Sequence, residues 1–102
     1  MKNQKKIRLN ENYIRTIKIL AQKYFGSDEV RIFGSRIDAN KRGGDIDIYI
    51  YTDKNINILK SKIAFLREFE MKLGEQKVDL IVQSVDKEKK IYKIARIEGI
   101  RI

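Results

Sequence analysis

The chain has 102 residues, a length that fits a single domain with one hydrophobic core. It contains no Cys and no His, which excludes disulfides, thiolate metal sites, cysteine nucleophiles and Ser-His-Asp catalysis. Any chemistry must therefore depend on carboxylates, Lys and Arg, hydroxyls, backbone amides and hard cations.

The excess of positive charge lies at the two ends of the chain. The net charge is +9, of which residues 1–8 contribute +4 and residues 87–102 another +4. This distribution fits a basic surface for nucleic acid or for an acidic protein partner, and it fits an ordinary solvated surface equally well. We expect one domain over 1–102, with a basic N-terminal arm at 1–9.

The sequence predicts neither a targeting segment nor a membrane span. Residues 1–8 are basic, but no apolar stretch of signal-peptide length follows them. No apolar run approaches the ~20 residues that a membrane span needs. Together with the lack of Cys, this predicts a cytoplasmic protein.

The first half of the chain predicts a helix, a strand, a loop and a second strand. The helix covers 10–25 and is ended by Gly26. Its inward residues, at helical spacing, are Ile14, Ile17, Leu20, Ala21 and Tyr24. A short strand follows at 29–33, then a loop at 35–44 and a strand at 45–51 in which apolar and polar residues alternate.

The second half predicts a helix over 56–73 ended by Gly74, a strand over 77–82 and a last helix over 86–98. The residues expected to face inward from the first of these helices are Leu59, Ile63, Leu66, Phe69 and Leu73. The order of elements predicts a small α/β or α+β fold, in which helices flank a three-stranded core sheet.

Three acids stand within the predicted strands, where Asp is normally depleted. Asp45 and Asp47 are two residues apart, so they project from the same face of one strand, and Asp79 interrupts the apolar run Val78–Val82. Tyr49 and Tyr51 continue the face of Asp45 and Asp47, either as ordinary sheet residues or as a surface for a base or partner. If the two strands are neighbours, the three carboxylates share one patch.

Such a patch needs a proton or a cation, because two carboxylates about 6 Å apart repel by roughly 2–3 kcal/mol at an effective dielectric near 20. Oxygen ligands without His or Cys suit Mg²⁺ or Mn²⁺. Two such ions held by shared carboxylates serve phosphoryl and nucleotidyl transfer. The alternative is structural: Asp45 would end the Gly-Gly turn, Asp47 would solubilise an edge strand and Asp79 would pair with a Lys.

A second motif, Phe33-Gly34-Ser35-Arg36, follows the first strand. Gly34 lets the backbone approach a phosphate closely, and amides at a helix N-terminus bind anions. The hydroxyl of Ser35 and the guanidinium of Arg36 would add donors for a triphosphate. Alone, the motif fits an ordinary turn after a strand equally well.

Taken together, these parts resemble the signature of the DNA polymerase β-like nucleotidyltransferase superfamily. That signature is an apolar strand ending in Gly-Ser, a spacer, Asp-x-Asp in a second apolar strand and a third acid on a later strand. Here the parts are Val30–Ser35, the nine residues 36–44, Asp45–Ile48 and Val78–Leu80.

The resemblance implies a nucleotidyltransferase fold with a mixed sheet, ATP as substrate and two Mg²⁺ ions, with Mn²⁺ as an alternative metal. The catalytic and metal-binding residues it implies are Asp45, Asp47 and Asp79. The nucleotide-binding residues it implies are Gly34, Ser35 and Arg36. A salt bridge from Arg36 to Asp38 or Asp53 is the structural alternative for that residue.

Over residues 11–100 the chain is similar to the minimal nucleotidyltransferases, a branch that is little more than the catalytic core. Members usually act with a helical HEPN-domain protein, and in the better understood pairs the nucleotidyltransferase is an antitoxin that adenylylates a tyrosine of the HEPN toxin. The resemblance implies the same partner and reaction here. Many members carry Ala-x-Gly and a Ser where this chain has Ile37-Asp38-Ala39 and Gly43-Gly44. This difference bears on which contacts the spacer makes and on the subgroup to which the partner belongs.

Three other functions fit the sequence. The chain could be a nucleotidyltransferase subunit for a small-molecule or RNA acceptor, an antitoxin that blocks its toxin sterically without catalysis, or a small nucleic-acid-binding protein. The clustered acids favour catalysis over steric blocking. The basic ends lack interleaved aromatic residues, which disfavours a single-stranded nucleic-acid binder.

Overall fold

A computed structural model describes residues 11–33, 46–84 and 99–102. Two helices and four strands follow one another in the order α1 (Glu11–Phe25), β1 (Glu29–Phe33), β2 (Ile46–Thr52), α2 (Ile58–Leu73), β3 (Val78–Ser84) and β4 (Ile100–Arg101). This is the small α+β fold that the sequence predicts. The helix predicted over 86–98 and the loop predicted over 35–44 lie outside the described residues.

The strands form one mixed sheet in the spatial order β3-β2-β1-β4. β1 pairs antiparallel with both β2 and β4, whereas β2 and β3 are parallel and connected through α2. The prediction of three strands is therefore wrong by one. The missed strand, β4, is two residues long, too short to show the alternation by which strands are recognised.

Helix α1 ends at a glycine with a positive φ. Gly26 has φ +58°, and its amide donates to the carbonyl of Gln22 at 3.0 Å. The helix buries Ile17, Leu20 and Ala21, as predicted, and also Phe25. Its stop at Gly26 lets the chain turn directly into β1.

Helix α2 begins at Asn57, whose side-chain oxygen accepts from the amide of Lys60 at 3.0 Å, and it ends at Gly74. The prediction of its inward face is partly wrong. Leu59 and Ile63 are 68% and 51% exposed, whereas the helix buries Phe69, as predicted, and Phe65, which was not predicted. Ile63 precedes Phe65 by two residues, which turns its side chain about 200° away around the helix.

The hydrophobic core lies between the helices and one face of the sheet, here called the helix face. That face carries Ile46, Ile48 and Ile50 of β2, which pack in one cluster with the buried residues of α1 and α2. Phe65 stacks on Phe69, with ring centroids 6.3 Å apart. Within the described part of the chain, neither helix is long and apolar enough to cross a membrane.

Candidate functional site

The opposite face of the sheet, here called the carboxylate face, carries the acids that the sequence singles out. Side chains alternate along β2, so Asp47, Tyr49 and Tyr51 point away from the isoleucines of the core. The two helices pack on the other side of the sheet. The fold thus separates the acids from the helix layer that supports them.

Asp47 and Asp79 lie directly opposite each other on neighbouring strands. They are register partners in the parallel pair of β2 and β3, so their Cα atoms are separated by one strand spacing, about 4.8 Å, and both side chains project from the same face. Asp79 is exposed and Asp47 is partly buried. The structure therefore brings together two of the three acids that the sequence predicts to share a patch.

The same level of the sheet includes the end of β1. On the side of β2 that faces away from β3, Asp47 is the register partner of Phe33, the last residue of β1. The end of β1 and the beginnings of β2 and β3 thus meet at one edge of the sheet. In the sequence, the residue that follows Phe33 is Gly34, the first of the predicted phosphate-binding residues.

Four predicted site residues, namely Gly34, Ser35, Arg36 and Asp45, lie outside the described residues, so their roles stay predictions. Within the ranges that the structure describes, no three Asp or Glu side chains come together as a candidate metal site. The described share of the predicted site is the pair Asp47 and Asp79.

Tyr49 is built into the sheet and has no exposed surface. It packs against Phe33, Tyr51 and Ile81, and its hydroxyl donates a hydrogen bond to Oε1 of Gln83. Of the two interpretations of Tyr49, the structure favours a sheet residue over a surface for a base. Gln83 was not predicted as part of the site, although its even spacing from Asp79 along β3 indicates that it shares the carboxylate face.

Two arginines also lie on this face and were not predicted. Arg31 of β1 is the register partner of Tyr49 on one side and of Arg101 on the other. Among the described residues, the buried Nε of Arg31 has no hydrogen-bond partner, and it lies 3.9 Å from Oε2 of Glu29. Positive charge therefore stands two residues along the strand from the level of Asp47.

The electrostatics of the acid pair favour a bound cation. Two carboxylates one strand spacing apart repel by up to about 3.5 kcal/mol at an effective dielectric of 20, and by less where water screens them. The oxygen-only donor set and the exposure of Asp79 fit Mg²⁺ or Mn²⁺, which prefer carboxylates and keep several water ligands. The arrangement is chemically suited to hold a divalent cation beside a phosphate.

Comparison with known proteins agrees with this chemistry. The family "Polymerase beta, Nucleotidyltransferase" matches residues 15–102, most of the chain. No curated protein matches the sequence significantly. Among solved structures, a Sulfolobus solfataricus protein named only as a candidate nucleotidyltransferase is 23% identical, with a TM-score of 0.48, over 89% of this chain and 82% of its own.

At that identity and score the solved structure adds nothing to the assignment, which depends on the family match. The match includes β2 and β3, the strands of Asp47 and Asp79, and extends through β4 to Ile102. The chain belongs to the polymerase β-type nucleotidyltransferase family.

Proposed function

We propose that this protein is a metal-dependent nucleotidyltransferase that transfers AMP from ATP to a hydroxyl group, that of a tyrosine, on a helical HEPN-domain toxin in the cytoplasm, and so acts as the antitoxin. The observation that carries the enzymatic part is the direct pairing of Asp47 and Asp79 on the carboxylate face. The family match supports the reaction type. The partner, the acceptor and ATP come from the resemblance of the sequence to minimal nucleotidyltransferases.

The proposal gives each acid a role. Asp45 and Asp47 would hold the metal that accompanies the triphosphate and would also contact a second metal. Asp79 would bind only that second metal. The chemistry that Mg²⁺ supplies when bound is stabilisation of phosphate charge and a lower pKa for the attacking hydroxyl. Gly34, Ser35 and Arg36 would hold the phosphates through amides, a hydroxyl and a guanidinium.

The proposed transfer is an in-line displacement at the α-phosphorus. The acceptor oxygen forms a bond to this atom while the bond to the bridging oxygen breaks, and pyrophosphate leaves. The proton of the acceptor hydroxyl goes to a carboxylate, since the chain contains no His. Asp79 is the proposed acceptor of that proton because its side chain is exposed to an incoming group.

The test is the intact mass of the partner. The chain would be co-expressed with the HEPN-domain protein encoded beside it, as wild type, as Asp79→Asn and as Asp53→Asn. Asp53 is the matched control, because it is an exposed carboxylate just beyond β2 that pairs with Lys54 and lies away from the acid pair. We expect adenylyl-sized mass on the partner with the wild type and with Asp53→Asn, and none with Asp79→Asn.

Other outcomes identify other functions. Equal modification by Asp79→Asn would remove Asp79 from the chemistry. A stable complex without added mass would favour the steric antitoxin. Transfer of label from radioactive ATP to RNA or to a small alcohol, with the partner unmodified, would favour a different acceptor for the same enzyme.

A further inference from the structure

The outer surface of the two helices carries an open groove of about 640 Å³ that none of the catalytic assignments uses. Its apolar floor comes from one side of α2, where Ile63, Ala64 and Met71 line it. Ile63 is 51% exposed and Met71 78%. Leu59, one turn before Ile63, is 68% exposed and extends the same side of the helix. Large apolar side chains held in water along one helix side are typical of a binding surface.

The rim of this groove is basic. Lys60 and Arg67 of α2 line it, together with Lys23 of α1 and Lys72 near the end of α2. Within the ranges that the structure describes, Lys60 and Arg67 form no ion pair. Both cations are therefore available to a partner.

The acid in this groove, Glu68, is already neutralised. Its Oε1 accepts from Nζ of Lys23 at 2.8 Å and from the hydroxyl of Tyr24, and its Oε2 lies 3.3 Å from Nζ of Lys72. Its charge therefore does not cancel that of Lys60 and Arg67. The groove presents an apolar floor flanked by positive charge.

We propose that this groove binds an amphipathic helix with acidic flanks from a partner protein. An apolar stripe on such a helix would cover Ile63 and Met71, and its acids would face Lys60 and Arg67. Charge complementarity favours an acidic partner over a second copy of the chain, since two basic rims would then face each other in a protein of net charge +9. The aliphatic floor disfavours nucleic acid, whose interfaces are polar and basic.

The position of the groove gives the proposal a functional consequence. Phe65 and Phe69 attach α2 to the helix face of the sheet, and Ile63 and Met71 point away from that core. Asp47 and Asp79 project from the other face of the sheet. A helix bound in the groove would anchor a partner without covering the acid pair. This surface goes beyond the proposed reaction and does not depend on it.

The test uses synthetic helical peptides of about 20 residues, a length that can sustain helix formation. One peptide has a leucine stripe with Glu flanks, a second has the same stripe with Lys flanks, and a third is the Glu peptide with its stripe scrambled. Binding is measured by calorimetry on the full chain, as wild type and as Ile63→Ser, Met71→Ser and Lys60→Glu/Arg67→Glu. Ile19→Ser is the matched control, because Ile19 is 52% exposed on α1 and does not line the groove. Circular dichroism melting verifies that each variant folds.

We expect the Glu peptide to bind the wild type and Ile19→Ser equally, and each groove variant about tenfold more weakly. The Lys and scrambled peptides should bind the wild type at least tenfold more weakly than the Glu peptide does. The charge-reversed variant should prefer the Lys peptide. Added salt should weaken binding of the Glu peptide, because the rim charges are exposed.

Three results would overturn the proposal. The first is no binding of the Glu peptide, or binding that the groove variants leave unchanged. The second is a dimer in sedimentation equilibrium that Ile63→Ser dissociates, which would make a second copy the occupant. The third is RNA binding that Lys60→Glu/Arg67→Glu abolishes and Ile63→Ser does not, which would assign the rim to nucleic acid.

Discussion

The hydroxyl of Tyr49 donates a hydrogen bond to the side-chain carbonyl of Gln83. Both side chains are buried, with no exposed surface on Tyr49 and 5% on Gln83, and they stand on the parallel strands β2 and β3. Tyr49 follows Asp47 along β2, and Gln83 follows Asp79 along β3. The bond therefore connects the two strands on the same face as Asp47 and Asp79, and it helps to hold the register that sets those acids opposite each other.

Replacing Tyr49 with Phe should destabilise the protein by about 1–2 kcal/mol, because the buried carbonyl of Gln83 loses the hydroxyl donor. The measurement is urea unfolding followed by circular dichroism. Transfer activity should fall only slightly, since the backbone ladder between β2 and β3 remains. Tyr51→Phe is the control, because Tyr51 is partly exposed on the same strand, and its cost should stay below about 0.5 kcal/mol. Equal losses in the two variants would show that the bond to Gln83 contributes nothing.

Asp79→Asn should leave the fold intact and slightly stabilise it in metal-free buffer, by up to about 1 kcal/mol, because it removes the repulsion from Asp47 at an exposed position. The wild type should gain about 1.4 kcal/mol from Mg²⁺ at roughly ten times its Kd, and chelation should reverse this. The variant should lose most of this response. The measurement is the free energy of unfolding with and without Mg²⁺. An undiminished Mg²⁺ response in Asp79→Asn would place the cation elsewhere.

Most of the fold could be predicted because its elements carry strong local signals. The alternation of apolar and polar residues in 45–51 predicts β2 to within a residue, and Gly26 and Gly74 end the two helices as expected. The inward face of α2 could be predicted only in part: Phe69 is buried as expected, but Leu59 and Ile63 are exposed. Its apolar residues form more than one stripe, and only packing against the sheet shows that Phe65 is buried and Ile63 exposed.

Of the candidate site, too, only the relations between residues of one strand could be predicted. Spacing alone shows that Asp47 and Tyr49 share a face, but their relation to Asp79 depends on whether two distant strands are neighbours. The hydrogen bond to Gln83 and the adjacency of Arg31 and Arg101 depend on register, which no local pattern in the sequence contains. The sequence therefore predicts that the acids share a patch only on the condition that their strands are neighbours, and it does not predict the contacts between the strands.

Replacing either of the two glycines that end the helices with Ala should destabilise the protein, for a different reason at each position. At Gly26 an added Cβ would lie 3.0 Å from Cγ of Lys54, a flexible side chain, whereas at Gly74 it would meet no atom of the described residues within 4 Å apart from its chain neighbours. Gly74, however, has φ +87° and ψ 177°, a conformation that is essentially limited to Gly. We expect Gly74→Ala to cost about 1–3 kcal/mol and Gly26→Ala, with φ +58°, about 1–2 kcal/mol. Urea unfolding measures both, and a neutral Gly74→Ala would show that the backbone there relaxes freely.

Glu68 should make the free energy of unfolding depend on pH in the acidic range. Hydrogen bonds from Lys23 and Tyr24, with a further contribution from Lys72, lower the pKa of the Glu68 carboxyl from 4.5 to about 2. A carboxyl whose pKa is lower in the folded state stabilises the fold when it is ionised. Its contribution is therefore complete above about pH 4.5 and is lost as the pH falls towards 2.

Glu68→Gln should lower the stability near neutral pH, because the neutral amide replaces a charge that Lys23 and Lys72 both approach. The variant should also lose less stability than the wild type between pH 4.5 and 2, since it has no proton to bind there. Urea unfolding in steps across that range measures both effects. Glu75→Gln, at an exposed position after α2, should keep the slope of the wild type. If Glu68→Gln followed that slope as well, the contacts with Lys23, Tyr24 and Lys72 would not lower the pKa of Glu68 in the folded protein relative to the unfolded chain. The contact between α1 and α2 at this position would then not contribute to the loss of stability in acid.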